Sequence, residues 1–347
     1  MNILALESSC DETACAIVTA TKEDKLLVRA NVISSQIEIH QQFGGVVPEV
    51  ASRHHLQNII PVIEQALSQA SFDLSNIDAI SVTRGPGLVG ALLVAFQVGK
   101  TIAFARNLPW IGVHHLEGHL LAAYLSEPDA ESAVPPMPHL SLLVSGGHTS
   151  LILVKDFCDY EVIGKTRDDA AGEAFDKVGK LLGFLYPAGP RIDRLSQAGD
   201  ENALKLPKAM LGPKGGLDFS YSGLKTWMAS YMQSTGPKPS LESICASFQA
   251  AVIEQLIRKT QLALKLHQVP AIVLSGGVAS NRLLRQKMAQ LCQQNNLAFY
   301  VPKPTYCTDN AAMIAAAGYF RLRRGERSPF STQVQANLPL STQDRSL

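Results

Sequence analysis

The stretch "NILALESSCDETACAIVTA", Asn2 to Ala20, returns in outline at His139 to Asp156 as "HLSLLVSGGHTSLILVKD". Each copy is an apolar run, a turn of small polar residues and a second apolar run, the pattern of two strands joined by a tight turn. A plan repeated at the start of each half of a chain suggests duplication. Between the copies lies "AVPPMP", Ala133 to Pro138, whose prolines mark a domain boundary.

Working outward, "LLVRANVIS" continues the first copy as a third strand. The segment "SRHHLQNIIPVIEQALSQA" predicts a helix with Leu56, Ile59, Ile60, Ile63 and Leu67 on one stripe. "IDAISVTRGPG" reads as a strand stopped by Gly85, Pro86 and Gly87, with an apolar helix behind it. Near the C-terminus "AIVLSGGVASNRLLRQKMAQL" is a strand, a turn and a helix, and "LPKAMLGPKGGLDFSYSGLKT" predicts an exposed, mobile loop. Alternating strands and amphipathic helices define an α/β protein.

The chain has 347 residues, 46% hydrophobic and 18% charged, an ordinary globular composition with length for two cores. Its net charge is +1 and it has no long basic run, so any nucleic acid must be met by a local patch or with partner proteins. Six cysteines without a C-x-x-C pair give neither a zinc ribbon nor a disulfide framework and fit a reducing cytosol. The N-terminus has no basic n-region, and acids follow its short apolar run, so it does not read as a signal or transit peptide. Gln97 and Lys100 interrupt the most apolar helix, and no membrane span is expected.

Three features could carry chemistry. The Ser-Gly-Gly turns in "LLVSGGHTS" and "VLSGGVASN" free backbone N–H groups to meet a phosphate, although neither turn is a Rossmann or P-loop fingerprint. The turn "SSCDET" offers Asp11 and Glu12, and "RDDAAGEAFDKVGKLLG" places Asp169, Glu173, Asp176 and Lys180 on one helical side, where a solvated face is the plain alternative. In "GVHHLEGHLLAAY" His115 and His119 lie about 40° apart on a helix and can reach one cation. Glu117, about 180° around from their midpoint, points away from that cation, which disfavours zinc-protease chemistry. Asp309 in "YCTDNAAMIAAAGYF" is either a third ligand or a helix N-cap.

Taken together, "ESSCDET", "FGGVVPEVASRHH", "GPGLVGALL", "HHLEGH", "LLVSGGHT", "DDAAGEAFDKVGKLLG", "DFSYSGLKT", "SGGVASNRLLR" and "CTDNAAMIA" occur in the order seen in the TsaD family, and the chain resembles that family from about residue 1 to about residue 325. The resemblance implies a duplicated actin-like ATPase fold of the ribonuclease H-like class, with two domains around a nucleotide cleft. It would place residues 1–132 and a C-terminal helix at 311–330 in the first domain, 133–310 in the second, and 331–347 in a tail. It implies transfer of threonylcarbamoyl from threonylcarbamoyl-adenylate to N6 of adenosine 37 in tRNAs reading codons that begin with A, with release of AMP. The implied metal ligands are His115, His119 and Asp309, holding iron(II) or zinc. The implied substrate contacts are Leu143, Val144, Ser145, Gly146, Gly147, Asp176, Gly189, Asp193 and Asn281. Asp11 or Glu12 would orient or deprotonate the attacking amine, and Arg53 and Lys225 are candidate phosphate contacts. A paralogous TsaB-like subunit and a TsaE-like P-loop ATPase are the implied partners, with a homodimer possible and a cytoplasmic location expected. In "PAGP" Ala188 replaces a glycine common in the family, which puts the local backbone geometry in question. A glycoprotease, an actin-like ATPase and a non-catalytic scaffold are the competing readings.

Overall fold

Strand β1 (Asn2–Glu7) is apolar almost throughout and pairs antiparallel with β2 (Glu12–Ala20), which pairs antiparallel with β3 (Leu26–Ser35). The computed structural model describes residues 1–128, 133–207 and 216–340. After β3 come a short helix α1 (Ile37–Gln41), the long α2 (Pro48–Ala70), β4 (Ala79–Gly85), α3 (Val89–Arg106), β5 (Trp110–His114), α4 (His115–Leu121) and β6 (Leu125–Ser126). The sheet order is β5-β4-β1-β2-β3-β6, with β4 and β5 parallel to β1.

The second series repeats this plan. Strands β7 (His139–Val144) and β8 (Thr149–Asp156) are antiparallel, and β9 (Asp159–Lys165) follows. Helices α5 (Ala171–Leu181), α6 (Gly189–Leu195), α7 (Ser222–Gln233) and α8 (Leu241–Leu266) then lead to β10 (Ala271–Ser275), α9 (Arg282–Gln294) and β11 (Ala298–Tyr300). The order β11-β10-β7-β8-β9 matches the first five strands of the first sheet position for position. The chain closes with α10 (Pro304–Cys307) and α11 (Ala311–Arg323).

Contacts divide the chain into a first unit of 1–135, 157–159 and 302–347 and a second of 136–156 and 160–301. The return to the first unit therefore begins at Pro302, not at 311 as the sequence suggested, because the Tyr306 hydroxyl and the Lys303 ammonium both reach Glu127. Nor do residues 331–340 form a free tail, since Gln335 N–H donates to the Arg84 carbonyl and Leu340 is buried. The expected mobile loop falls partly on 208–215, and the expected limit at 132 and the tail beyond 340 fall on 129–132 and 341–347. All three stretches lie outside the described residues.

In the first unit Leu4, Leu6, Cys15 and Ile17 pack with Ile59, Val62 and Ile63 of α2 and Val94, Ala95 and Phe96 of α3. The opposite sheet face is covered by α11, which is buried along nearly its whole length. The expected stripe on α2 is turned: Leu56 is 66% and Ile60 52% exposed, while Ala51, His55, Ile59, Val62, Ile63 and Ala66 are buried. The buried arc includes His55, a residue a hydropathy count assigns to solvent. Its ring is satisfied inside: Nε2–H donates to the Cys10 carbonyl (3.0 Å) and the Thr13 hydroxyl lies 2.7 Å from Nδ1. Helix α3 has the length and mean hydropathy, 1.3, of a membrane span, so Gln97 and Lys100 do not exclude one by composition. Ala91, Leu92, Val94, Ala95, Phe96, Gly99 and Ala103 are buried in the first unit, which accounts for its apolar character as a core helix.

Burial pushes the ionisation of His40, His55 and His139 below the ordinary histidine range, with His139 at about 4. A base held neutral in the fold binds its proton more readily in the unfolded chain, so stability is full above about pH 6.5 and falls as pH drops. His139 alone accounts for up to roughly 3 kcal/mol by pH 4. Thermal unfolding followed from pH 7 to pH 4.5 should show a falling Tm, with a shallower fall in His139→Asn; an unchanged slope in that variant would contradict the assignment.

Candidate metal centre and nucleotide turns

Helix α4 starts directly from β5, and consecutive histidines at that junction divide the work. His114 is the N-cap: Leu116 N–H donates to its Nδ1 (3.0 Å) and its Nε2–H donates to the Leu338 carbonyl (2.8 Å). His115 and His119, one turn apart on α4, present Nε2 to the same carboxylate oxygen, Oδ1 of Asp309, at 3.4 and 3.1 Å. One donor atom from each of these three residues lies within 4.8 Å of the others. Asp309 is not the cap of α11. Asn310 takes that place, accepting from Met313 N–H, and Asp309 is left free to face the histidines.

Glu117 is fully buried on the other side of α4 and pairs with Arg321 of α11 at 2.7 Å. Gly118 beside it lets the helices approach: a Cβ there would lie 2.9 Å from Met313 Cγ and 3.2 Å from the Met313 carbonyl oxygen. Thus the glutamate between the histidines joins two helices, and the misplaced general base inferred from spacing has a structural occupation.

Two neutral imidazoles and a carboxylate form a donor set suited to iron(II) or zinc, since each offers a lone pair to one point. The electrostatics agree with a cation there. Burial works against the charged forms, yet Asp309 and Glu7 hold the His115 pKa well above its usual range, and the two histidines hold Asp309 well below the carboxylate range. The acid turn adjoins these groups: burial, then the charges of Asp11 and Asp309, raise Glu12 well above an ordinary glutamate. Asp11 is buried, and Glu12 accepts a long bond from the Ser35 hydroxyl (3.4 Å).

The remaining expected residues gather in the second unit. Leu143 and Val144 end β7, where His148 N–H donates to the Ser145 hydroxyl oxygen, while a Cβ on Gly146 or Gly147 would meet nothing within 4 Å. The loop after β10 and the first turn of α5 crowd this turn. Gly276, at φ +88°, would place a Cβ 2.4 Å from the Val144 carbonyl oxygen, and Gly172 would place one 2.6 Å from that of Ser145. Asn281 caps α9 by accepting from Leu284 N–H (3.0 Å) and donates to Gln249 (2.7 Å). Asp176 accepts from Ala188 N–H (2.8 Å), next to Gly189, and Asp193 pairs with Arg282 (3.1 Å). Ala188 has φ −87°, open to any L-residue, and its methyl occupies the space beside Gly179, so the departure from glycine costs no backbone strain.

One expectation, that Asp169 lies on the face of α5, does not hold. Asp169 precedes α5 and is not on its face, and it accepts from both Lys177 and Lys225 at 2.7 Å, which engages Lys225 internally. Arg53 is exposed. Glu7, Arg321 and Gln249 were not singled out from sequence; a glutamate ending an otherwise apolar first strand was the available signal for Glu7.

Fold and site define a duplicated α/β protein of the actin-like ATPase class with a histidine-carboxylate cluster on one unit and glycine turns on the other. Among solved structures it is similar to HypF from T. kodakarensis (TM-score 0.62, 15% identity, 93% of this chain and 48% of that one). It is also similar to component A of the Acidaminococcus fermentans (R)-2-hydroxyglutaryl-CoA dehydratase (TM-score 0.54, 14%, covering 93% and 99%). At those identities the likeness shows the fold alone. The family of TsaD, tRNA N6-adenosine threonylcarbamoyltransferase, matches residues 27–316. Proteins of that name from Moorella thermoacetica (48% identical, covering 98% of this chain and 97% of that one) and an Anaeromyxobacter species (51%, covering 94% and 96%) are similar almost end to end. The chain belongs to the TsaD family, and is a transferase of tRNA modification.

The division of labour on α4 is testable by zinc stoichiometry and thermal unfolding. His115→Ala should abolish tight zinc binding. His114→Ala should keep one zinc per chain and lose about 1 kcal/mol of stability as a cap. Glu117→Gln should keep the zinc but lose roughly 1–3 kcal/mol, because Arg321 keeps only Glu326 as an ionic partner (2.7 Å) and loses its fully buried one. Loss of zinc in Glu117→Gln with stability intact would contradict this reading.

Proposed function

We propose that the protein transfers the threonylcarbamoyl group of threonylcarbamoyl-adenylate to N6 of adenosine 37 in tRNAs reading codons that begin with A. The observation that carries this reading is the cluster of His115, His119 and Asp309 beside the Asp11–Glu12 turn, in a chain of this family. His115, His119 and Asp309 would hold one divalent ion, iron(II) or zinc, which when bound supplies Lewis-acid polarisation of the acyl carbonyl.

The chain's own groups do the rest. The backbone N–H groups of Gly146 and Gly147 receive the phosphate, while Ser145, whose own N–H donates to the His148 carbonyl (2.8 Å), closes the turn and Leu143 and Val144 fix its start. Asp176, Gly189, Asp193 and Asn281 hold the adenosine. N6 forms its new bond to the carbamoyl carbon as the carbon–oxygen bond to phosphate breaks, and AMP leaves as the anion. The proton lost from N6 goes to Asp11 or Glu12; burial and the Asp11 charge raise Glu12 above the ordinary carboxylate range, which makes its ionised form a stronger base. The near-neutral chain charge supports sharing the tRNA with a TsaB-like subunit and a TsaE-like ATPase in the cytoplasm, and a homodimer is compatible with this reading.

Nucleoside mass spectrometry after incubation with threonylcarbamoyl-adenylate and tRNA, with and without the two partners, is the direct test. Threonylcarbamoyladenosine should form, fall below detection in His115→Ala, and fall about 100-fold or more in the double variant Asp11→Asn/Glu12→Gln with metal content unchanged. Full activity in that double variant would remove the acid turn from the mechanism. No product with metal and both partners supplied would favour an actin-like ATPase or scaffold role instead.

A further inference from the structure

Glu7 ends β1 with no exposed surface, and three groups that can donate converge on its carboxylate. Ser9 N–H donates to Oε1 (2.5 Å), and the Thr83 hydroxyl donates to Oε2 (2.6 Å). His115 Nδ1 lies 3.0 Å from the same Oε2. An ionised carboxylate offers only lone pairs, so an imidazole nitrogen at that distance must carry its proton there. The other nitrogen of the ring, Nε2, is the one that faces Asp309 and sits beside His119.

We propose that Glu7 is a positioning residue for metal binding: it fixes His115 with its proton on Nδ1 and its Nε2 lone pair turned toward the seat shared with His119 and Asp309. The proposal rests on the metal reading above and extends it by one residue. A carboxylate behind a ligating imidazole also makes that imidazole a stronger donor and limits its rotation. Two strands supply the frame. Glu7 and Ser9 come from β1 and the turn after it, and Thr83 from the parallel strand β4, so the carboxylate has little freedom to turn away.

A glutamine at this position reverses the effect. The amide orientation that keeps an acceptor on the Ser9 N–H puts the NH2 group against His115, which favours a ring that accepts at Nδ1 and carries its proton on Nε2 over one whose Nδ1–H has only the Ser9 hydroxyl, at 3.2 Å, to turn to. Thr83 adapts by turning its hydroxyl. The ring keeps its place while the ligand lone pair is lost.

The test uses the full chain stripped of metal and titrated with zinc alone against a chromophoric chelator, with thermal unfolding recorded in excess chelator. Glu7→Gln should bind zinc about ten- to a hundredfold more weakly than the native chain. Thr83→Val, which removes one of the three contacts on the carboxylate, should show a smaller loss in the same direction. A folded Glu7→Gln that binds zinc within twofold of native would overturn the proposal while leaving the metal site standing. Should Glu7→Gln fail to fold, native affinity in Thr83→Val would overturn it. A native chain that binds no zinc or iron(II) would remove the metal reading itself, before any Glu7 variant is compared.

Discussion

The buried pair of Glu117 and Arg321 joins α4 to α11, and the meeting of His115 and His119 with Asp309 depends on that junction. Asp309 lies 190 residues beyond His119 in the chain, and the two meet because α11 is packed against the first sheet and held to α4. One short helix carries both functions. Its ligand face holds His115 and His119, and its opposite face holds Glu117, with Gly118 allowing the close approach to Met313. A buried ion pair of this kind adds little net stability over an apolar contact, but losing one partner is costly, so its effect is to fix the register of the two helices.

The duplication explains how one fold supplies two chemistries. The turn after β1 and the turn after β7 occupy the same place in their sheets, since the strand orders correspond. The first carries Asp11 and Glu12; the second carries Ser145, Gly146 and Gly147. Carboxylates at one and glycines that leave the backbone uncovered at the other give opposite electrostatic preferences at equivalent positions.

The strand–turn–strand copies, the break at Ala133–Pro138 and the one-turn spacing of His115 and His119 were legible because each depends on local pattern alone. The face of α2 was not, because buried His55 and exposed Leu56 and Ile60 invert the rule that hydropathy marks the core, and only the Thr13 and Cys10 partners explain the inversion. Asp309 was left open between cap and ligand, and the neighbouring Asn310, equally able to cap, takes the cap through a hydrogen bond from Met313 N–H. The roles of Glu7 and Arg321 come from contacts spanning 108 and 204 residues, which periodicity does not carry. The motif resemblance reached the family directly; the physical occupation of Glu117 needed the structure.

The central claim is that His115, His119 and Asp309 form the seat of a single cation. X-ray absorption at the zinc edge on the zinc-loaded protein tests it most directly. The account predicts two imidazole nitrogens at about 2.0–2.1 Å with oxygen completing the shell and no sulfur. A thiolate at about 2.3 Å, or a shell without imidazole, would place the metal elsewhere and contradict it.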